Sequence, residues 1–165
     1  MMVWRVLAAL VGFVVLAGCD GPASKACAID GARYVLRADH GFTASFRKVP
    51  GALSAHQLVL DVGSAAGGRT YSFTINRGNG LGDATLSPVA GKMSIRAPLY
   101  TVNDDGKFVD YFGDTVGPAP RQVLLPTLGQ ALWYDISGLT NGATHQREQM
   151  PVAFFDRVSC GATKP

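Results

Sequence analysis

Apolar and polar positions alternate with a period of two along much of the chain. Tyr34, Leu36 and Ala38 interleave with Arg33, Val35 and Arg37. Successive side chains of an extended backbone point to opposite sides, so this alternation predicts a strand with one face buried. Asp39-His40-Gly41 reads as a turn, after which Phe42, Ala44 and Phe46 interleave with Thr43, Ser45 and Arg47. The two runs predict a hairpin. A second follows, with Leu58, Leu60 and Val62 set against Gln57, Val59 and Asp61. Its other strand sets Tyr71, Phe73 and Ile75 against Thr70, Ser72 and Thr74. The intervening Gly63-Ser64-Ala65-Ala66-Gly67-Gly68 is flexible, and too long and glycine-rich to set the hairpin's register.

Later segments repeat the theme. Residues 93–102 predict a strand broken at Pro98, because proline cannot donate to a sheet ladder. Asn103-Asp104-Asp105-Gly106 is a strong turn, and residues 107–112 are the returning strand. Residues 122–125, 131–136 and 152–160 are further strands. Helical signals are slight: Ser54 and Gln57 have capping-box spacing, and the polar residues 141–149 read as a loop or short helix. Eight or nine short antiparallel strands predict an all-β domain, a single β-sandwich with a small β-barrel as the alternative.

The N-terminus breaks this pattern. Arg5 precedes an unbroken apolar run of eleven residues, Val6 to Leu16. That is the anatomy of a secretory signal, whose apolar core spans ~7–15 residues, and it is short of the ~20 needed to cross a bilayer. Leu16-Ala17-Gly18-Cys19 then resembles the lipobox of bacterial lipoproteins. The resemblance covers the first nineteen residues. It implies that the Cys19 thiol receives a diacylglyceryl group and that residues 1–18 are removed. Two acyl chains anchor stably where one does not, so no spanning helix is required. Asp20 resembles the signal that keeps some lipoproteins in the inner membrane. The implied location is the cell membrane, facing the periplasm, with Asp20 favouring the inner one.

Three cysteines is an odd number, and lipid on Cys19 removes the oddness. Cys27 and Cys160 remain, separated by 132 residues. In an oxidising compartment they are expected to pair, which would bring their α-carbons within ~7 Å and make the first and last elements neighbours. Residues 19–26 form a lipid-anchored tether, and residues 27–165 a single domain. The seven residues between Cys19 and Cys27 reach roughly 25 Å when extended, at ~3.5 Å each. Removing eighteen of 165 residues leaves 147, enough for one core. Net charge falls from +3 to +2 with the loss of Arg5. The cations are dispersed, with no patch of the kind that binds nucleic acid. Glu148 is the one glutamate beside eleven aspartates, twenty glycines and nine prolines, a composition of strands and turns.

Candidate chemistry is thin. Arg77 to Leu86, "RGNGLGDATL", lacks the Gly-Lys-Ser/Thr of a phosphate loop, and Asp83 would repel phosphate. It reads as a surface loop. Asn103, Asp104, Asp105, Asp110 and Asp114 form the densest oxygen-donor cluster. An EF-hand register on Gly106 would put Phe112 where the bidentate acid belongs. A solvated hairpin tip is expected instead. No Gly-x-Ser-x-Gly elbow occurs, and His40, His56 and His145 have no spacing that demands a triad. On the expected strand, Trp133 and Tyr134 point to opposite faces, one in the core and one outward. The outward ring, near Tyr100 or Tyr111, would make a platform for a sugar or protein. Trp133, Tyr134, Asp104 and Asp105 are therefore the candidate contacts. No catalytic, metal or cofactor site is expected. The sequence predicts a non-enzymatic binding or accessory module, tethered to membrane through Cys19, with an envelope protein or glycan as partner. An envelope-polymer hydrolase and an inhibitor of a foreign secreted enzyme are the alternatives.

Overall fold

The computed structural model describes residues 27–49, 58–77, 84–89, 96–109, 117–134 and 146–161. The expected signal peptide, lipobox and tether lie outside these residues, as do the expected helical turn at 50–57 and most of the expected 77–86 loop. The fold is all-β. Among the described residues ten antiparallel strands, β1 (Ala28–Leu36), β2 (Phe42–Lys48), β3 (Leu58–Ser64), β4 (Arg69–Arg77), β5 (Ala84–Pro88), β6 (Ala97–Pro98), β7 (Tyr100–Val102), β8 (Phe108–Val109), β9 (Gln122–Leu124) and β10 (Phe154–Gly161), form one curled sheet. Its order is β6-β5-β4-β3-β2-β1-β10-β9-β7-β8. One helix, α1 (Leu128–Tyr134), is present among the described residues.

The alternating apolar residues line the inner face. Tyr34, Leu36, Phe46, Leu60, Phe73 and Phe155 are all but fully buried there. Tyr34 and Phe46 meet edge to face at 5.6 Å, and the Tyr34 hydroxyl donates to the Pro120 carbonyl at 3.0 Å. The first hairpin closes as expected, with the Gly41 N–H donating to Asp39 Oδ1 at 2.9 Å. The second is tighter than its sequence suggests. Gly63 and Ser64 belong to β3, and the turn is only Ala65–Gly68, which sets Ser64 opposite Arg69. The Ser64 hydroxyl accepts the Gly67 N–H at 3.2 Å, and Gly68 takes φ of +61°. A side-chain acceptor and a left-handed glycine thus fix the register that glycine content alone would leave loose.

Three elements depart from expectation. β1 begins at Ala28, five residues before the predicted alternation. Its inward residues run Ile29, Ala32, Tyr34, with one extra residue between the first two and a register shift against β10. Gly31 sits there with φ of +82°, as a bulge requires. β5 lies in a segment where the sequence predicts no strand. Over 131–134 the expected strand at 131–136 is replaced by α1, and 135–136 lie outside the described residues: Thr127 accepts the Ala131 N–H at 3.1 Å to start the helix, and Leu128 and Leu132, one turn apart, are fully buried. The alternation across Leu132-Trp133-Tyr134 was a helical spacing seen over too short a window.

The disulfide between Cys27 and Cys160 is formed, with α-carbons 5.0 Å apart. It joins the start of β1 to the end of β10, which pair along their length. One connection is unusual. Residues 97–98 pair with β5 at one end of the strand order, while residues 100–102 pair with β9 near the other. Only Leu99 separates them, and its N–H donates to Ala84 at 2.8 Å.

Candidate functional site

The sheet has two dissimilar ends. At one lie the disulfide, the start of β1 and the ends of β2 and β10. At the other lie the turns at 37–41 and 65–68, α1 and the segment 146–150. Glu148, the chain's one glutamate, is buried at this second end. Its N–H approaches the Leu132 carbonyl at 3.4 Å, which ties the segment to the last turn of α1. Gly129 allows the close approach: a methyl group there would overlap the Met150 carbonyl oxygen.

From this position the Glu148 side chain reaches the second hairpin. Tyr71 donates its hydroxyl to Glu148 Oε1 at 2.6 Å, and Arg69 Nη1 lies 3.9 Å from the same oxygen. Arg69 and Tyr71 are two residues apart on β4, so both point inward. Gly67 completes the pocket, since a side chain there would collide with the carboxylate. Burial, then the hydrogen bond to Glu148 and its negative charge, push the Tyr71 phenol up to about 12, against a smaller opposing pull from Arg69. Such a phenol stays neutral and donates near neutral pH, so it is a poor general base. The cluster is a fastener. It is an imperfect one, because Glu148 Oε2 and Arg69 Nη1 are buried without hydrogen-bond partners.

The candidates from sequence are scattered. Asp104 is taken up in an ion pair with Arg157 Nη2 at 2.8 Å, whose Nη1 donates to the Ala119 carbonyl. Asp105 is exposed at the same hairpin tip, closed by Gly106 with φ of +78°. Asp110 and Asp114 lie outside the described residues. Among those described, no three His, Cys, Asp or Glu side chains gather as metal ligands would.

Trp133 and Tyr134 correct the expectation of one core ring and one outward ring. On α1 they are about 100° apart rather than opposed, and both are exposed, Tyr134 by 75%. Trp133 has the Arg147 guanidinium 5.8 Å from its ring centre. Neither joins Tyr100, which packs edge to face with Phe108 on the β7–β8 hairpin. His40 is exposed in its turn; His56 and His145 lie outside the described residues.

The Arg69–Tyr71–Glu148 cluster is not legible in the sequence. The signal available was Glu148 itself, a lone glutamate in a chain whose other acids are aspartates, but nothing in the sequence names its partners. No protein-family profile, curated protein or solved structure matches this chain.

Proposed function

We propose that this chain is a bacterial envelope lipoprotein whose disulfide-closed β domain serves as a binding or accessory module beside the membrane. In this reading residues 1–18 are a cleaved signal peptide, Cys19 carries a diacylglyceryl group, and residues 20–26 are the tether. The observation that carries it is the Cys27–Cys160 bridge. With two of three cysteines paired, Cys19 is the remaining one, and it closes the Leu-Ala-Gly-Cys sequence after the apolar run. Bridging also suits the oxidising compartment to which such a signal directs a protein. Asp20 favours retention in the inner membrane.

The finer architecture we read as a small barrel. Residues 97–102 act as one bent strand between β5 and β9, so the sheet order closes on itself through Leu99. An interior of about eight strands is filled by side chains or holds one small ligand. Here Tyr34, Phe46, Phe73 and Phe155 occupy it. A packed interior turns attention to the outside and supports recognition over catalysis. So does the use of titratable groups as structural pairs: Glu148 with Arg69, Asp104 with Arg157, and Asp156 with Arg37.

The test of the anchor is fractionation of the full chain made in a bacterial host. The native protein should sediment with membranes and dissolve only in detergent. Cys19→Ser should remove acylation and be recovered uncleaved or in the aqueous fraction. A native protein with no lipid mass on Cys19, or a Cys19→Ser variant cleaved and membrane-bound like it, would refute the reading. For the module, crosslinking in intact membranes should recover a stoichiometric protein or glycan partner, and monomer alone under several crosslinkers would count against it.

A further inference from the structure

The bridge fixes which end of the domain is anchored. Cys27 immediately precedes β1, and the tether attaches directly to it. At most seven residues, roughly 25 Å at ~3.5 Å each, separate this end from Cys19. Its surface is neither apolar nor acidic throughout. Val158, two residues before Cys160, is 61% exposed, and Val49, at the end of β2, is 38% exposed. Arg33 stands opposite Ser159 in the β1–β10 ladder, beside Val158, and is exposed. Lys48 precedes Val49 and is exposed too; its backbone N–H, not its ammonium, is held by Asp30 Oδ1 at 3.0 Å. Neither cation is in an ion pair with a described residue, in contrast to Arg47, which Asp61 holds at 2.6 Å.

The geometry points to an anionic lipid surface as the occupant of this end. Resting on the lipoprotein reading, the inference is that Val49 and Val158 settle at the headgroup boundary while Arg33 and Lys48 meet lipid phosphates. The domain is then held against the bilayer in one orientation, with α1 and Glu148 facing away. Tether length and charge together favour this occupant. A tether this short keeps the end within reach of the headgroups, and cations near an anionic leaflet are attracted within a Debye length. Among the described residues three acidic groups lie at the same end: Asp30 is engaged by the Lys48 backbone, Asp104 is paired with Arg157, and the exposed Asp105 is offset by the exposed Lys107 and Arg121 beside it.

Tryptophan quenching by lipids brominated in their acyl chains tests the orientation. The acylated full chain would be placed in vesicles of phosphatidylcholine with or without phosphatidylglycerol. Trp133, at the far end, is the internal reference, since removal of the signal peptide takes Trp4 with it. Val158→Trp should be quenched in anionic vesicles well beyond Trp133, and less in neutral ones or at high salt. Arg33→Gln and Lys48→Gln should each lower the population in contact about fivefold, the worth of one cation at such a surface. If the vesicles carry the protein but Val158→Trp is quenched no more than Trp133, the orientation is overturned and the anchor stands. If the protein does not float with vesicles at all, the anchor fails, and this inference with it.

Discussion

Glu148 concentrates the energetics of the α1 end of the sheet in one side chain. Its carboxylate gives Tyr71 an acceptor and Arg69 a counter-charge while leaving one oxygen unsatisfied. Glu148→Ala strands the Tyr71 hydroxyl in the protein interior. Because Arg69 is only partly buried, water offsets part of its loss. We expect a fall of about 2 kcal/mol in unfolding free energy, measured by urea titration. Glu148→Gln, which keeps an acceptor for Tyr71, should lose less. The same contact predicts alkaline behaviour. The Tyr71 phenol is raised from 10.0 to about 12 in the folded protein. A raised folded value means that the unfolded chain loses its proton first. Stability from this group is therefore complete below pH 10 and declines as pH rises toward about 12. Tyrosinate absorbance should include a late phenol, and Tyr71→Phe should lower the late amplitude by one tyrosine. At the acid side Arg37, through its hydrogen bond, holds the Asp156 carboxyl below the usual range. Any gain there is lost as pH falls through that lowered value, and it is modest because both groups face water.

Among the elements, packing overrules propensity most plainly in α1. Glycine inside a helix costs about 1 kcal/mol relative to alanine, so Gly129→Ala should stabilise an isolated helix. In the folded domain the new methyl group meets the Met150 backbone carbonyl, which cannot swing aside as a flexible side chain would. We expect net destabilisation of about 2 kcal/mol, read as a lowered Tm, since overpacking against fixed neighbours typically costs 1–3. A raised Tm would show that 146–150 is not docked on α1. This element also marks where the sequence ceases to be legible. The hairpins β1–β2 and β3–β4 are plain in it because Tyr34, Phe46, Leu60 and Phe73 alternate over long runs with one face buried. The start of β1 is hidden by the bulge at Gly31, which breaks the period. β5 is hidden because Leu86 is its one large apolar residue. The helix is too short for its Leu128–Leu132 spacing to outweigh an apparent alternation. The Glu148 cluster joins positions nearly eighty residues apart, a pairing that only the closed fold creates.

For the whole molecule, the bridge ties the first strand to the last across a separation of 133 residues. Closing so long a loop in the unfolded chain is worth about 5 kcal/mol on chain-entropy grounds. Cys27→Ser with Cys160→Ser should therefore lower the urea midpoint strongly and steepen the transition, because the unfolded chain is no longer held compact. Pairing between adjacent strands would let the variant keep its fold under mild conditions, and near-native far-UV dichroism would confirm it. In the proposed reading the three cysteines then divide their roles, two for the domain and one for the membrane, and compartment, tether and orientation all depend on that division. Intact-mass spectrometry of protein extracted from the membranes of a bacterial host reads these roles together. The predicted mass is that of a chain beginning at Cys19, two hydrogens lighter for the Cys27–Cys160 bridge, and heavier by the lipid on the Cys19 sulfur. A chain that still begins at Met1, or one in which Cys19 is unacylated or bridged to another cysteine, would contradict it.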